Sequence, residues 1–136
     1  MKFNSQICTT KEQSERLLAL GLKKETADMC IDNMGNIYTY PITIVEAIKN
    51  DWGLIPLWSL HRLIEMMPNK IRKYDSSASL IVSNEKVQYY LHDVEYSDYL
   101  TSAGRWKSGN IYDNIIDCIG WLIIEGYFNK EYLEKL

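Results

Sequence analysis

The sequence predicts an α+β domain: a small antiparallel sheet of two or three strands packed against several helices, the longest near the C-terminus. Three observations lead there. Apolar residues recur at helical spacing in three segments, they alternate with polar ones at Val87–Leu91, and the glycines fall singly at turns and helix ends. The length of 136 residues fits one domain spanning 1–136. A chain of that size buries roughly two thirds of its unfolded surface, so it needs no disulfide or metal to fold.

The elements follow in order. Thr9 and Thr10 stand three residues before Glu12 and Gln13, the spacing of a capping box. Leu17, Leu18 and Leu20 form the buried side of this first helix. Gly21 then ends it in a left-handed conformation, with Leu22 turning back toward Leu17. A short helical turn is expected over Thr26–Ile31. Met34-Gly35-Asn36 forms a turn, and Ile37–Tyr40 a short strand ended by Pro41. Thr43 and Glu46 cap a short helix carrying Ile44, Val45, Ala47 and Ile48, which stops near Asn50 and Gly53. Pro56 suits the first turn of a third helix, continued by Leu57, Leu60, Leu63, Ile64 and Met67 and stopped by Pro68.

Ala78–Ser83 is apolar and partly β-branched, as in a strand. A turn at Asn84-Glu85 leads to a second strand, where Val87, Tyr89 and Leu91 alternate with Gln88, Tyr90 and His92. Ser97–Gly109 is expected to be a loop. Asn110 caps the longest helix, Ile111–Glu125, ended by Gly126. Its apolar face holds Ile111, Ile115, Ile119, Leu122 and Ile123, and Ile116, Trp121 and Ile124 make other faces apolar too. Asn129 caps a last short helix to Leu136. One core cluster is expected from Leu17, Leu60, Ile64, Leu80, Ile115, Ile119 and Leu122. The extra apolar strip on the long helix calls for cover by the last segment or by a second subunit in a two-fold dimer.

Composition narrows the chemistry. Ten Tyr and four Trp stand against two Phe, an excess of side chains that suit half-buried and interfacial positions. The net charge is −3, so the chain as a whole carries no basic footprint. Charge is nevertheless uneven: His61–Tyr74 holds four basic residues and one acidic, whereas Asp75 onward holds ten acidic and five basic. Cys8, Cys30 and Cys118 are odd in number and far apart, as expected of reduced thiols in a cytoplasmic protein. The N-terminus has no apolar stretch resembling a secretory signal, and the longest apolar run, Cys118–Ile124, is far short of the about 20 residues of a membrane span.

Several residues resemble a pattern found in uncharacterised small proteins from prophages and mobile elements of gut anaerobic bacteria. They are Gln6-Ile7-Cys8-Thr9-Thr10, Gln13-Ser14, Leu20-Gly21-Leu22, Thr26-Ala27-Asp28-Met29, Pro56-Leu57-Trp58-Ser59-Leu60, and Trp121-Leu122 with Gly126-Tyr127. The resemblance covers most of the chain. It implies an accessory protein of a mobile element. Those proteins have no assigned activity, so it carries over no functional residue.

No catalytic, cofactor or metal residue is expected. Ser59 and His61 are two apart and point to different faces of a helix. Three isolated Cys and two isolated His lack zinc-ligand spacing. Asp93, Glu95 and Asp98 lack the central Gly of a calcium loop. Two segments pair positive charge with an aromatic ring, as single-strand binders do: Arg72, Lys73 and Tyr74, preceded by Lys70, and Arg105, Trp106 and Lys107. In an acidic protein the plainer reading is a pair of solvated loops with Trp106 folded down as a lid.

The first expectation is therefore a non-enzymatic accessory protein that binds another protein or itself. A nucleic-acid-binding module built on segments 70–74 and 105–107 is the second. An enzyme assembled from scattered residues is the third.

Overall fold

The computed structural model describes residues 1, 5–39, 53–73, 76–91 and 102–135. Its contacts divide the chain into two compact units, Met1–Glu65 with Lys130–Leu136, and Met66–Asn129. The fold is mixed α+β with two antiparallel sheets, of three and four strands, in place of the single small sheet expected.

In the first unit, α1 spans Lys11–Ala19. The Thr10 side chain accepts from the Gln13 amide and the Gln13 side chain accepts from the Thr10 amide, closing the capping box. Gly21, at φ 100°, ends the helix. The Leu22 amide donates to the Leu17 carbonyl and the Gly21 amide to that of Leu18, the paired bonds of a Schellman ending. A 3₁₀ turn follows at Lys24–Thr26.

Strand β1 (Met29–Ile31) lies between β2 (Ile37–Tyr38) and β3 (Ile55–Leu57). Thr26–Ile31, expected as a helical turn, thus ends in the central strand of a sheet. The β1–β2 turn is held by Asp32, whose carboxylate accepts from the amides of Met34 and Asn36 and from the Tyr38 hydroxyl. These bonds, the Asn36 amide's first, hold its carboxyl below the usual carboxylate range.

Pro56 departs from expectation as well. It pairs with Cys30 inside β3 and opens no helix. Because β3 is an edge strand, the missing N–H costs no ladder bond on an inner strand. Helix α2 begins later and spans Leu60–Met66. Ser59 caps it, its hydroxyl accepting from the Arg62 amide.

A polar cluster pins these elements together. The Thr9 hydroxyl accepts from the Trp58 amide at 3.0 Å and lies 2.8 Å from the Ser14 hydroxyl. The Trp58 indole N–H donates to Thr26, and Asp28 accepts from both the amide and the hydroxyl of Ser59. Trp58, Thr9 and Ser14 are all buried, so these bonds satisfy groups that water cannot reach. Beside them Cys8, Met29 and Leu57 pack with Ile31 and Ile55. The C-terminal segment forms a 3₁₀ turn at Lys130–Tyr132 and joins this unit, where Leu133 bridges to Leu22.

The second unit is an antiparallel meander, β4 (Lys70–Lys73), β5 (Ser76–Val82), β6 (Val87–Leu91) and β7 (Ser102–Trp106), in sheet order β4-β5-β6-β7. The β5–β6 turn is Asn84-Glu85, closed by the Ser83 amide donating to the Lys86 carbonyl. The expected loop Ser97–Gly109 contains β7, and the basic segment after Pro68 is β4. Helix α3 (Ile111–Glu125) has the expected bounds, capped by the Asn110 side chain and ended by Gly126 at φ 81°.

Of the expected core, Leu17, Ile115, Ile119 and Leu122 are fully buried, whereas Leu60, Ile64 and Leu80 are half-buried. Leu17 belongs to the first unit and the α3 residues to the second. The helix expected from Ile44 to Ile48 lies outside the described residues.

Leu122 is 0% exposed and its backbone carbonyl anchors the turn after α3. Leu122→Ala is expected to cost about 2–5 kcal/mol in denaturant melts, and a loss under about 1 kcal/mol would remove α3 from the centre of its unit.

Candidate functional site: the outer face of the four-stranded sheet

Strand alternation sorts the second unit's side chains into two sets. Residues directly opposite one another in the ladder share a face. Ala78 pairs with Ile71 and Leu91, Leu80 with Tyr89, and Val82 with Val87, which in turn pairs with Trp106. These form the inner face. Trp121 of α3 packs on it, with ring centroids 5.3 Å from Trp106 and 6.1 Å from Tyr89. Tyr127 adds a third ring 5.8 Å from Trp121.

The other set points away from α3. Ser79 pairs with Lys70 and Tyr90, Ser77 with Arg72, and Gln88 with Ile81 and Arg105. Lys70, Arg72, Ser77 and Arg105 are exposed, as are Ile81 and Tyr90, at 41% and 37%. Three cations, one aromatic ring and two serines therefore share this outer face, while Gln88 is buried within it. Among its described strand residues there is no carboxylate. The unit's described acids lie elsewhere, with Asp113, Asp117 and Glu125 on α3 and Glu85 in the β5–β6 turn.

The spacing follows from sheet geometry. Lys70 and Tyr90 sit in one row, two strands and so about 10 Å apart. Arg105 is diagonal to Tyr90 on the neighbouring strand, about 7–8 Å away. Arg72 lies two residues along β4 from Lys70, about 7 Å.

The inner face holds this arrangement in place. The Tyr127 hydroxyl donates to the Arg72 carbonyl at 2.9 Å, and the Tyr89 hydroxyl to the Pro68 carbonyl at 2.7 Å. Both bonds fix the edge strand that carries Lys70 and Arg72. At the opposite edge, buried Asn114 accepts from the Ser108 amide at 2.6 Å, tying the end of β7 to α3. Burial pushes the Tyr89 hydroxyl pKa well above its ordinary value, so it stays a neutral donor.

The expected interaction residues are thus only partly brought together. Arg72 and Arg105 share the outer face, on opposite edge strands. Lys107 follows β7 and is exposed. Lys73 pairs with Ser76 at the end of β4. Tyr74 lies outside the described residues. Trp106 is folded down on Trp121, from a strand in place of a loop, and its ring faces away from the outer face. Tyr90, Gln88 and Ile81 complete that face and were not singled out. Tyr90's place was implied by its alternation with Tyr89 and Leu91.

Other candidates lead elsewhere. Ser59 bonds to Asp28, and His61 pairs with Glu65 at 3.3 Å on an exposed turn of α2. His92, Asp93, Glu95 and Asp98 lie outside the described residues. Among the described residues no group of three His, Cys, Asp or Glu could hold a metal ion, and no helix is long and apolar enough to cross a membrane. The apolar strip on α3 that called for cover by the last segment or by a second subunit is mostly buried: Ile116 is 1% exposed and Trp121 is half-buried, which leaves Ile124 at 84%.

Cys8, Cys30 and Cys118 are buried free thiols, each with its pKa raised, chiefly by desolvation. All three are expected to resist a thiol-specific reagent in the native protein and to react together once denatured. Rapid native labelling of Cys118 would contradict its place on the buried face of α3. Trp106→Ala is expected to cost about 2 kcal/mol or more in denaturant melts, through lost ring packing. A stability unchanged from wild type would return Trp106 to the solvent-facing role. In comparisons with protein-family models, curated proteins and solved structures, the chain matches none.

Proposed function

We propose that this chain is a non-enzymatic accessory protein that acts by binding, and that the outer face of its four-stranded sheet meets an anionic partner. One observation carries the reading: Lys70, Arg72 and Arg105 stand exposed around Tyr90 on a face with no described carboxylate. Net charge is a poor guide to such a protein, because a partner responds to the local field of the surface it meets. The chain's −3 is a sum over every surface of the protein.

The resemblance to prophage and mobile-element proteins supports an accessory role in that setting. Three buried free thiols suit a reducing, cytoplasmic compartment.

The test is retention on immobilised heparin, a generic polyanion. Wild type is expected to bind at about 50 mM salt and to elute by about 200 mM. The triple variant Lys70→Glu, Arg72→Glu, Arg105→Glu is expected to flow through while keeping wild-type circular dichroism, since all three side chains are exposed. Wild type flowing through, or equal retention of the variant, would overturn the reading.

A further inference from the structure

Resting on that reading, we infer that the anionic partner is a single-stranded nucleic acid, with Tyr90 stacking on a base and Lys70, Arg72 and Arg105 contacting backbone phosphates.

Charge on this face is complementary to a nucleic-acid backbone. The three cations flank the ring on both sides, Lys70 and Arg72 on β4 and Arg105 on β7. A strand crossing the sheet obliquely meets Arg105, then Tyr90, then Lys70 and Arg72, at intervals of about 7–10 Å. A nucleic-acid backbone presents charge at regular intervals along such a path, with a base available at each step.

The centre of the face is polar. Protein–protein interfaces place apolar side chains at their core and move charges to the rim. Here the centre is Ser77, Ser79 and Tyr90, with Gln88 buried among them, and Ile81 is the one aliphatic residue among the described outer positions. Hydroxyls beside a ring suit base edges, and interfaces with nucleic acid are the more polar and positive kind.

The shape of the face favours a single strand over a duplex. A sheet face has no helix or ribbon to insert into a duplex groove. Unpaired bases can lie flat on it and stack on its aromatic side chain.

The experiment is fluorescence anisotropy of labelled oligo-dT and oligo-rU, each about 12 nucleotides long, titrated with the full chain at about 50 mM salt. Saturable binding that weakens as salt rises is expected. Tyr90→Ala should weaken it about tenfold, whereas Tyr90→Phe, which keeps the ring, should bind as wild type does. Arg72→Ala and Arg105→Ala should each lower the salt slope by about 0.7. These two variants keep the inference testable if Tyr90→Ala does not fold. A duplex of the same length should compete poorly.

Binding that is unchanged in Tyr90→Ala, Arg72→Ala and Arg105→Ala overturns the inference, and so does a duplex that competes as well as the single strand. Heparin retention that depends on the face, without oligonucleotide binding, overturns the single-strand inference and leaves an acidic protein surface as the partner. Failure of both probes removes the anionic-partner reading as well.

Discussion

Arg105 and Trp106 are neighbours on β7, and strand geometry sends their side chains to opposite faces. Trp106 is drawn inward by packing on Trp121, so Arg105 has to point out. The same logic holds at the other edge, where Ile71 is buried on the inner face and Lys70 and Arg72 flank it on the outer one. A single helix covers one face of a four-stranded sheet, and the second unit has one long helix among its described residues. The outer face is therefore an outcome of the core. Aromatic packing on one side dictates which cations are displayed on the other.

The first unit is organised differently. Its strands are short, three residues at most, and little sheet area is available for apolar burial. Polar bonds converge instead on the segment that enters α2. Trp58 and Ser59 bond to Thr9, Thr26 and Asp28, from three different places in the chain. Because Thr9, Ser14 and Trp58 are buried, each missing bond would leave a donor or acceptor without water to replace it. Ser59 and Asp28 are partners in this framework and in the capping of α2, a sufficient physical reason for their proximity.

Legibility in the sequence followed how local each determinant is. Helices α1 and α3 were readable because their ends are set by single residues, Thr10 with Gln13, Gly21, Asn110 and Gly126. Strands β4 and β7 were not. Lys-Ile-Arg-Lys and Ser-Ala-Gly-Arg-Trp hold few β-branched residues, and each is an edge strand held by pairing and by one large inner residue, Ile71 or Trp106. Pro56 misled in the same way, since its tolerance in β3 depends on an edge position known only from the fold. The binding face inherits this pattern. Arg72 and Arg105 were visible as basic residues beside aromatic rings. Which ring they accompany was not, because that depends on the register joining β6 to both edges. Trp106 turned inward, and Tyr90 took the outer place.

The central claim is that the outer sheet face, and no other surface, receives the partner. Nuclear magnetic resonance of the isotopically labelled chain titrated with oligo-dT tests it most directly. The account predicts shift changes concentrated at Lys70, Arg72, Ser77, Ser79, Gln88, Tyr90 and Arg105, including the Arg72 and Arg105 Nε–H groups, with Asp113 and Asp117 of α3 unmoved. Changes centred on α3 or on the first unit, with the outer face silent, would contradict it.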